Sequence, residues 1–219
     1  MNITRPLVLS ILYLACVGSL ANVEAVSPPP DGSYPGANTA EGQEALFSLS
    51  TGAYNTAIGW LSLGSVTTGE LNTGIGAGTL VSNTADGNTA TGAGALFSNT
   101  SGFGNAANGS FALFSNTTGN NNTAVGREAL SSNTTGGSNT AIGRDALLNH
   151  ATGSNNTAVG RDALLNDTTG ESNVAIGRSA LGNNTTGVTN IALGTDSGSS
   201  VTTASNVVCI GFGVGGKRG

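Results

Sequence analysis

The chain has 219 residues, 35 of them Gly, and carries a net charge of −5. Charged residues make up 9%, against about 25% in an average soluble domain, which is too few for an ordinary disordered tail. Gly without a three-residue period and only five Pro exclude a collagen. A single His among few acids argues against a conventional metabolic enzyme, and a sequence pI near 4.6 leaves no nucleic-acid footprint.

Residues 1–25 read as a secretory signal peptide. Arg5 supplies the basic start, Pro6 to Val17 are almost all apolar, and Val23-Glu24-Ala25 ends in a small residue suited to cleavage. The apolar run is shorter than the roughly 20 residues of a permanent membrane span. Cys16 after Leu14-Ala15 is a partial match to a lipoprotein signal, with Tyr13 a poor fit at its first position. Removal of the signal leaves Cys209 alone, so no intrachain disulfide is expected, and no later transmembrane segment is expected either. Residues 26–36, VSPPPDGSYPG, read as an extended Pro-rich linker.

From Asn38 onward the chain is a tandem repeat. The clearest copy, NTAVGRDALLNDTTG from Asn156, recurs as NTAIGRDALLNHATG from Asn139 and NTAVGREALSSNTTG from Asn122. Glycines mark the period from Gly42 to Gly211 in steps of 17, with a single step of 16 between Gly76 and Gly92. Two glycines per repeat oppose a helix, and N-T-T-G is turn chemistry. The regular period, the turn residues and the short β-compatible segments predict an all-β, parallel β-solenoid of about ten 17-residue coils over 37–211. Each coil is expected to hold two short strands, around T-A-I-G and A-L, and two turns. Residues 212–219 are expected to form a flexible tail.

The columns of such a stack carry physical content. An Asn column from Asn38 through Asn190 to Asn206 is expected to hydrogen-bond along the axis. An Ala column (Ala40, Ala57, Ala90 and onward, with Cys209 in the same place) implies a narrow lumen. Ile58, Ile75, Val125, Ile142, Val159, Ile176 and Leu193 directly follow that column, so they face outward if the alanines face inward. An exposed aliphatic stripe of that length points to self-association. The reverse assignment, with Ile in the lumen, makes the Leu46 to Leu181 column harder to place.

The N-T-A-[I/V]-G-x-x-A-L block resembles the head repeat of YadA-like trimeric autotransporter adhesins, and the NTTG-punctuated form is similar to repeat arrays of bacterial surface proteins and viral fibres. The resemblance covers residues 38–211. It implies a left-handed β-roll, a homotrimer formed through the aliphatic stripe, and a role in adhesion. The period here is longer than in those heads. No heptad stalk, C-terminal anchor strands or chaperone domain follow in this sequence, which is consistent with a truncated paralogue, a free secreted protein or one that docks on another.

Arg127, Arg144, Arg161 and Arg178 recur at intervals of 17, with Glu128, Asp145 and Asp162 directly after the first three. Stacked guanidinium groups about 5 Å apart repel, so the column is either a strip for sulfated, sialylated or phosphorylated glycans or a salt-bridge ladder. Asp145 and Asp162 share one column, as a polysaccharide-cleaving solenoid would need, but each sits beside an Arg and no insertions shape a cleft. The tail GFGVGGKRG matches a P-loop in part, yet Arg218 stands where Ser or Thr is needed and no helix follows. The repeat glycines Gly74, Gly76, Gly78, Gly92 and Gly94 are no dinucleotide fingerprint. His150, alone in its NHATG turn, is expected to be a surface variant. Phe47, Phe97 and Phe114 form one column, a candidate for carbohydrate stacking or for packing between coils. Asn-x-Ser/Thr triplets such as those at Asn116, Asn133 and Asn184 arise from the turn itself.

The expectation is therefore a secreted or cell-surface, non-enzymatic adhesin head or fibre segment needing no cofactor or metal. A host or environmental glycan or protein is the expected partner. A structural spacer or envelope protein is the alternative.

Overall fold

The computed structural model describes residues 35–215 and the backbone of Lys217 and Arg218. The expected signal peptide and residues 26–34 of the expected linker lie outside the described residues. Eleven short strands stack in parallel in sequence order: β1 (Thr39–Glu41), β2 (Thr56–Ile58), β3 (Thr73–Ile75), β4 (Thr89–Thr91), β5 (Ala106–Asn108), β6 (Thr123–Val125), β7 (Thr140–Ile142), β8 (Thr157–Val159), β9 (Val174–Ile176), β10 (Ile191–Leu193) and β11 (Val207–Ile210). The chain is an all-β parallel solenoid of about ten coils, with no helix among the described residues. At about 4.8 Å per coil the stack is roughly 50 Å long. Register is strict: Thr140, Ala141 and Ile142 face Thr157, Ala158 and Val159.

Strands β1 to β10 stop after three residues, and β11 after four, because a repeat Gly follows each. In the β7 coil this is Gly143, with φ of 136°. A Cβ there would come within 2.5 Å of the Gly160 carbonyl oxygen of the next coil, so both backbone angle and coil spacing demand Gly.

The A-L segment differs from the expected second strand. Ala163 donates to the Gly160 carbonyl at 3.3 Å and Asp167 to the Leu164 carbonyl at 3.2 Å, so two tight turns follow one another. Asp162 and Leu164 take φ of 60° and 51°. Ala163 and Leu164 are consecutive yet both fully buried. Strand neighbours point to opposite faces, and the left-handed residue at Leu164 is what turns both side chains inward. The turns still ladder between coils, as in Leu164 N–H to the Ala180 carbonyl at 3.0 Å.

The lumen therefore holds two small residues and one Leu per coil, such as Ala158, Ala163 and Leu164. Its volume is conserved by exchange. In the β3 coil the strand alanine is replaced by Gly74, whose missing Cβ would lie 2.5 Å from the Ser62 hydroxyl and 2.8 Å from that of Thr79. Those two residues stand where other coils have Ala. Ser62 donates to the Gly74 carbonyl at 2.9 Å, so the added hydroxyl is not left unpaired.

The expected Asn ladder is present. The Asn173 backbone N–H and side-chain amide both donate to Asn156 Oδ1, at 2.9 and 3.1 Å, and the amide also reaches the Gly187 carbonyl at 2.8 Å. One assignment is corrected. The last member of this column is Val207, not Asn206, since Val207 N–H donates to Asn190 Oδ1 at 3.0 Å. Asn206 precedes it with φ of 59°. The segment expected as a free tail folds back, with β12 (Lys217–Arg218) pairing antiparallel to Val207 and Val208 of β11.

Candidate functional site

The Ala column lines the lumen and the aliphatic column faces out. Ile58, Ile75, Val125, Ile142 and Ile176 are each 40–43% exposed, while Ala57, Ala124, Ala141 and Ala175 are fully buried. The stripe is not uniform. Glu41, Thr91 and Asn108 interrupt it at β1, β4 and β5. It widens at the other end, where Val174, Ile191 and Val208 stand in the position that Thr holds in β1 to β4 and β6 to β8. From β9 to β11 two apolar columns therefore lie side by side.

The structure brings Arg127, Arg144, Arg161 and Arg178 together as a half-exposed column beside the strands. Each has an acid within the chain. Arg127 meets Glu128, Arg144 meets Asp145, and Arg161 meets Asp162, all at 3.1 Å. Arg178, whose neighbour is Ser179, instead reaches across a coil to Asp196 at 3.1 Å. The acids stand in for the missing compensation that a bare guanidinium stack would need. The column is thus close to charge-neutral as it stands, and half-exposed pairs of this kind add little stability.

His150 is not a surface variant. It is fully buried in a second polar ladder, formed by the residue that opens each N-T-T-G turn. Asn83, Asn99, Asn116 and Asn133 stack there, each amide reaching the Oδ1 of the preceding member at 2.7 Å. His150 and Asp167 replace the next two. His150 Nδ1 lies 2.7 Å from Asp167 Oδ2, its Nε2 lies 2.8 Å from the Gly153 carbonyl, and Asn184 donates to Asp167 Oδ1 at 2.6 Å. Each ring nitrogen thus lies within hydrogen-bond reach of an oxygen. The switch leaves Asn133 Oδ1 buried without a donor. The signal available in the sequence was the co-occurrence of His150 and Asp167 at one column in adjacent repeats.

Phe97 and Phe114 stack at 5.2 Å between centroids with 18° between planes, and Phe111 meets Phe114 edge-on at 5.6 Å. Gly94 makes room for the Phe111 ring, which a Cβ there would meet at 2.8 Å. These rings pack between coils, whereas Phe47 of the same column stands 78% exposed. Cys209 is a buried free thiol, and burial pushes its pKa up. Among the described residues no cluster of His, Cys, Asp and Glu is arranged to hold a metal ion, and no helix is long and apolar enough to cross a membrane.

Fold and surface together define a β-solenoid repeat protein with one outward apolar stripe and one self-paired charged column. No family model, curated protein or solved structure matches the chain.

Proposed function

We propose that this protein is a secreted or surface-exposed, non-enzymatic adhesin head or fibre segment that works as a homotrimer through multivalent contacts. The observation that carries the reading is the outward aliphatic stripe, broadest over β9 to β11. A monomer with that stripe in water exposes an apolar surface that runs unbroken from β6 to β11, which self-association would bury. The repeat's likeness to YadA-like heads supports three copies rather than two. A rigid rod repeating one surface every 17 residues suits many weak contacts made at once.

Light scattering after size exclusion tests the assembly: a mass of three chains is expected, and a monodisperse monomer would remove the basis of the reading. A second reading, a structural spacer or envelope protein without a ligand of its own, is favoured by the intramolecular pairing of Arg127, Arg144, Arg161 and Arg178. A glycan-array screen separates the two, since a spacer binds nothing on it.

A further inference from the structure

We infer that the one short coil creates a saccharide-binding notch in the turn ridge of the rod. The inference rests on the adhesin reading and names a site and ligand class for it. Between Gly76 and Gly92 the repeat loses one residue, and the NTTG turn becomes Asn83-Thr84-Ala85 before Asp86-Gly87. The Asn72 side-chain amide reaches the Ala85 carbonyl at 2.9 Å, 13 residues on, where its counterparts such as Asn55 and Asn88 reach a turn carbonyl 14 residues on, so the missing residue comes out of the turn ridge and not out of the core.

The ridge is cut lower still by its side chains. Tyr54 and Leu71 occupy the position before the ladder Asn in the preceding coils, whereas Gly87 and Gly104 occupy it in the next two. A Cβ on Gly87 would meet nothing within 4 Å. The result is a groove of about 560 Å³ lined by Thr68, Leu71, Thr84, Asp86, Ser101 and Phe103, among others. That lies within the roughly 300–1,000 Å³ of small-ligand sites.

The lining selects the ligand. Phe103 and Leu71 stand 51% and 63% exposed in the lining, from the coils after and before the short turn, and offer an aromatic ring and an aliphatic side chain for the C–H face of a sugar ring. The Asp86 carboxylate is held in place by the Glu70 backbone N–H, which donates to its Oδ1 at 2.9 Å. With the hydroxyls of Thr68 and Ser101 it offers acceptors and donors for sugar hydroxyls. Glu70 lies beside it, and no Lys or Arg occurs between Val26 and Gly126. A sulfated or carboxylated glycan would meet only repulsion there. The fitting unit is a pyranose of a neutral or amino-bearing glycan, and the notch is distinct from the arginine column that begins at Arg127.

The test is a titration of the full chain, followed by calorimetry and by the NMR signals of Phe103, with three probes: a chitin tetrasaccharide, its de-N-acetylated cationic form, and a heparin-derived tetrasaccharide. The first two are expected to bind with shifts at Phe103, and the third to leave it unchanged. Phe103→Ala is expected to weaken binding about tenfold. Insertion of Thr after Thr84, which restores the period, is expected to do the same by filling the gap, so loss of fold in one variant does not decide the matter. Unchanged affinity in both folded variants overturns the notch. If the wild type and Phe103→Ala bind an array of glycans equally, the notch fails and the adhesin reading stands. If neither binds any glycan, the notch fails, and the adhesin reading falls with it only where light scattering also finds a monodisperse monomer.

Discussion

The buried pair His150–Asp167 shows how a single position can leave the repeat's rule and still be satisfied. An Asn ladder needs each member to donate to the one before it, as Asn116 does to Asn99. His150 instead points its Nδ1 at Asp167. His150→Asn would restore a donor for Asn133 Oδ1 but leave the Asp167 carboxylate facing an amide oxygen. Leaving a buried carboxylate oxygen without its partner in this way is expected to cost about 1–3 kcal/mol. Asp167→Asn is expected to cost much less, because an Asn amide there can donate to Nδ1 of neutral His150 while Nε2–H keeps the Gly153 carbonyl. The double variant returns the column to its common chemistry and should recover most of the loss. Denaturant melts of the four proteins, read as a double-mutant cycle, give the coupling; equal losses in both single variants would contradict this account.

Cys209 offers a second test at the same scale. Burial raises its thiol pKa in the folded state. A raised acid favours the native protein below the ordinary thiol value, and that contribution is lost as pH climbs through the folded value. Stability is therefore expected to decline as pH rises above about 8.5. Cys209→Ala, which matches the residue of its column, should flatten that decline. Native Cys209 should also react slowly with a water-soluble thiol reagent and quickly once unfolded. Rapid labelling of the native protein would place the thiol outside the lumen.

At the scale of the coil, the repeat Gly is the element that admits least change. Gly143 has a φ that L side chains rarely adopt, and its Cβ would press on the backbone of Gly160, which cannot swing aside as a side chain can. Gly143→Ala is expected to destabilise by more than about 2 kcal/mol. In a stack where each coil touches only its neighbours, the damage should spread to the adjacent coils first. Hydrogen exchange would then show lost protection around β7 and β8 before the rod's ends. Uniform loss along the rod would mean that the coils fold as one unit. The contrast with Gly74 is instructive: that glycine answers to side-chain hydroxyls, so it reflects a volume exchange within the lumen and not a backbone requirement.

For the whole molecule, the apolar stripe is the feature that a lone rod leaves exposed. Replacing Ile142 and Ile176 together by Glu puts like charges on an outward column whose residues are 41% and 43% exposed, so the coil itself should fold with little penalty. The expected result is a rod of unchanged thermal stability per coil that runs as a single chain in light scattering. A variant that stays trimeric would move the contact surface elsewhere. Because the stripe is broken at Thr91 and Asn108, the β6 to β11 half should hold most of the association.

The period, the solenoid and the placing of the Ala and Ile columns on opposite faces were legible from the residues alone, because these depend only on what recurs every 17 residues and on strand alternation; that the alanines are the ones facing the lumen came from the burial in the folded stack. It also carried the first Asn ladder, since identical side chains one coil apart must meet. Three matters were decided only by tertiary structure. Consecutive burial of Ala163 and Leu164 depends on a left-handed φ that no residue type announces, so the A-L segment reads as a strand and folds as turns. The place of Asn206 against Val207 depends on register at the last coil, where the repeat consensus has faded. The burial of His150 and the notch beside Phe103 depend on what lies one coil away, 16 or 17 residues distant in sequence, which a single repeat read alone does not contain.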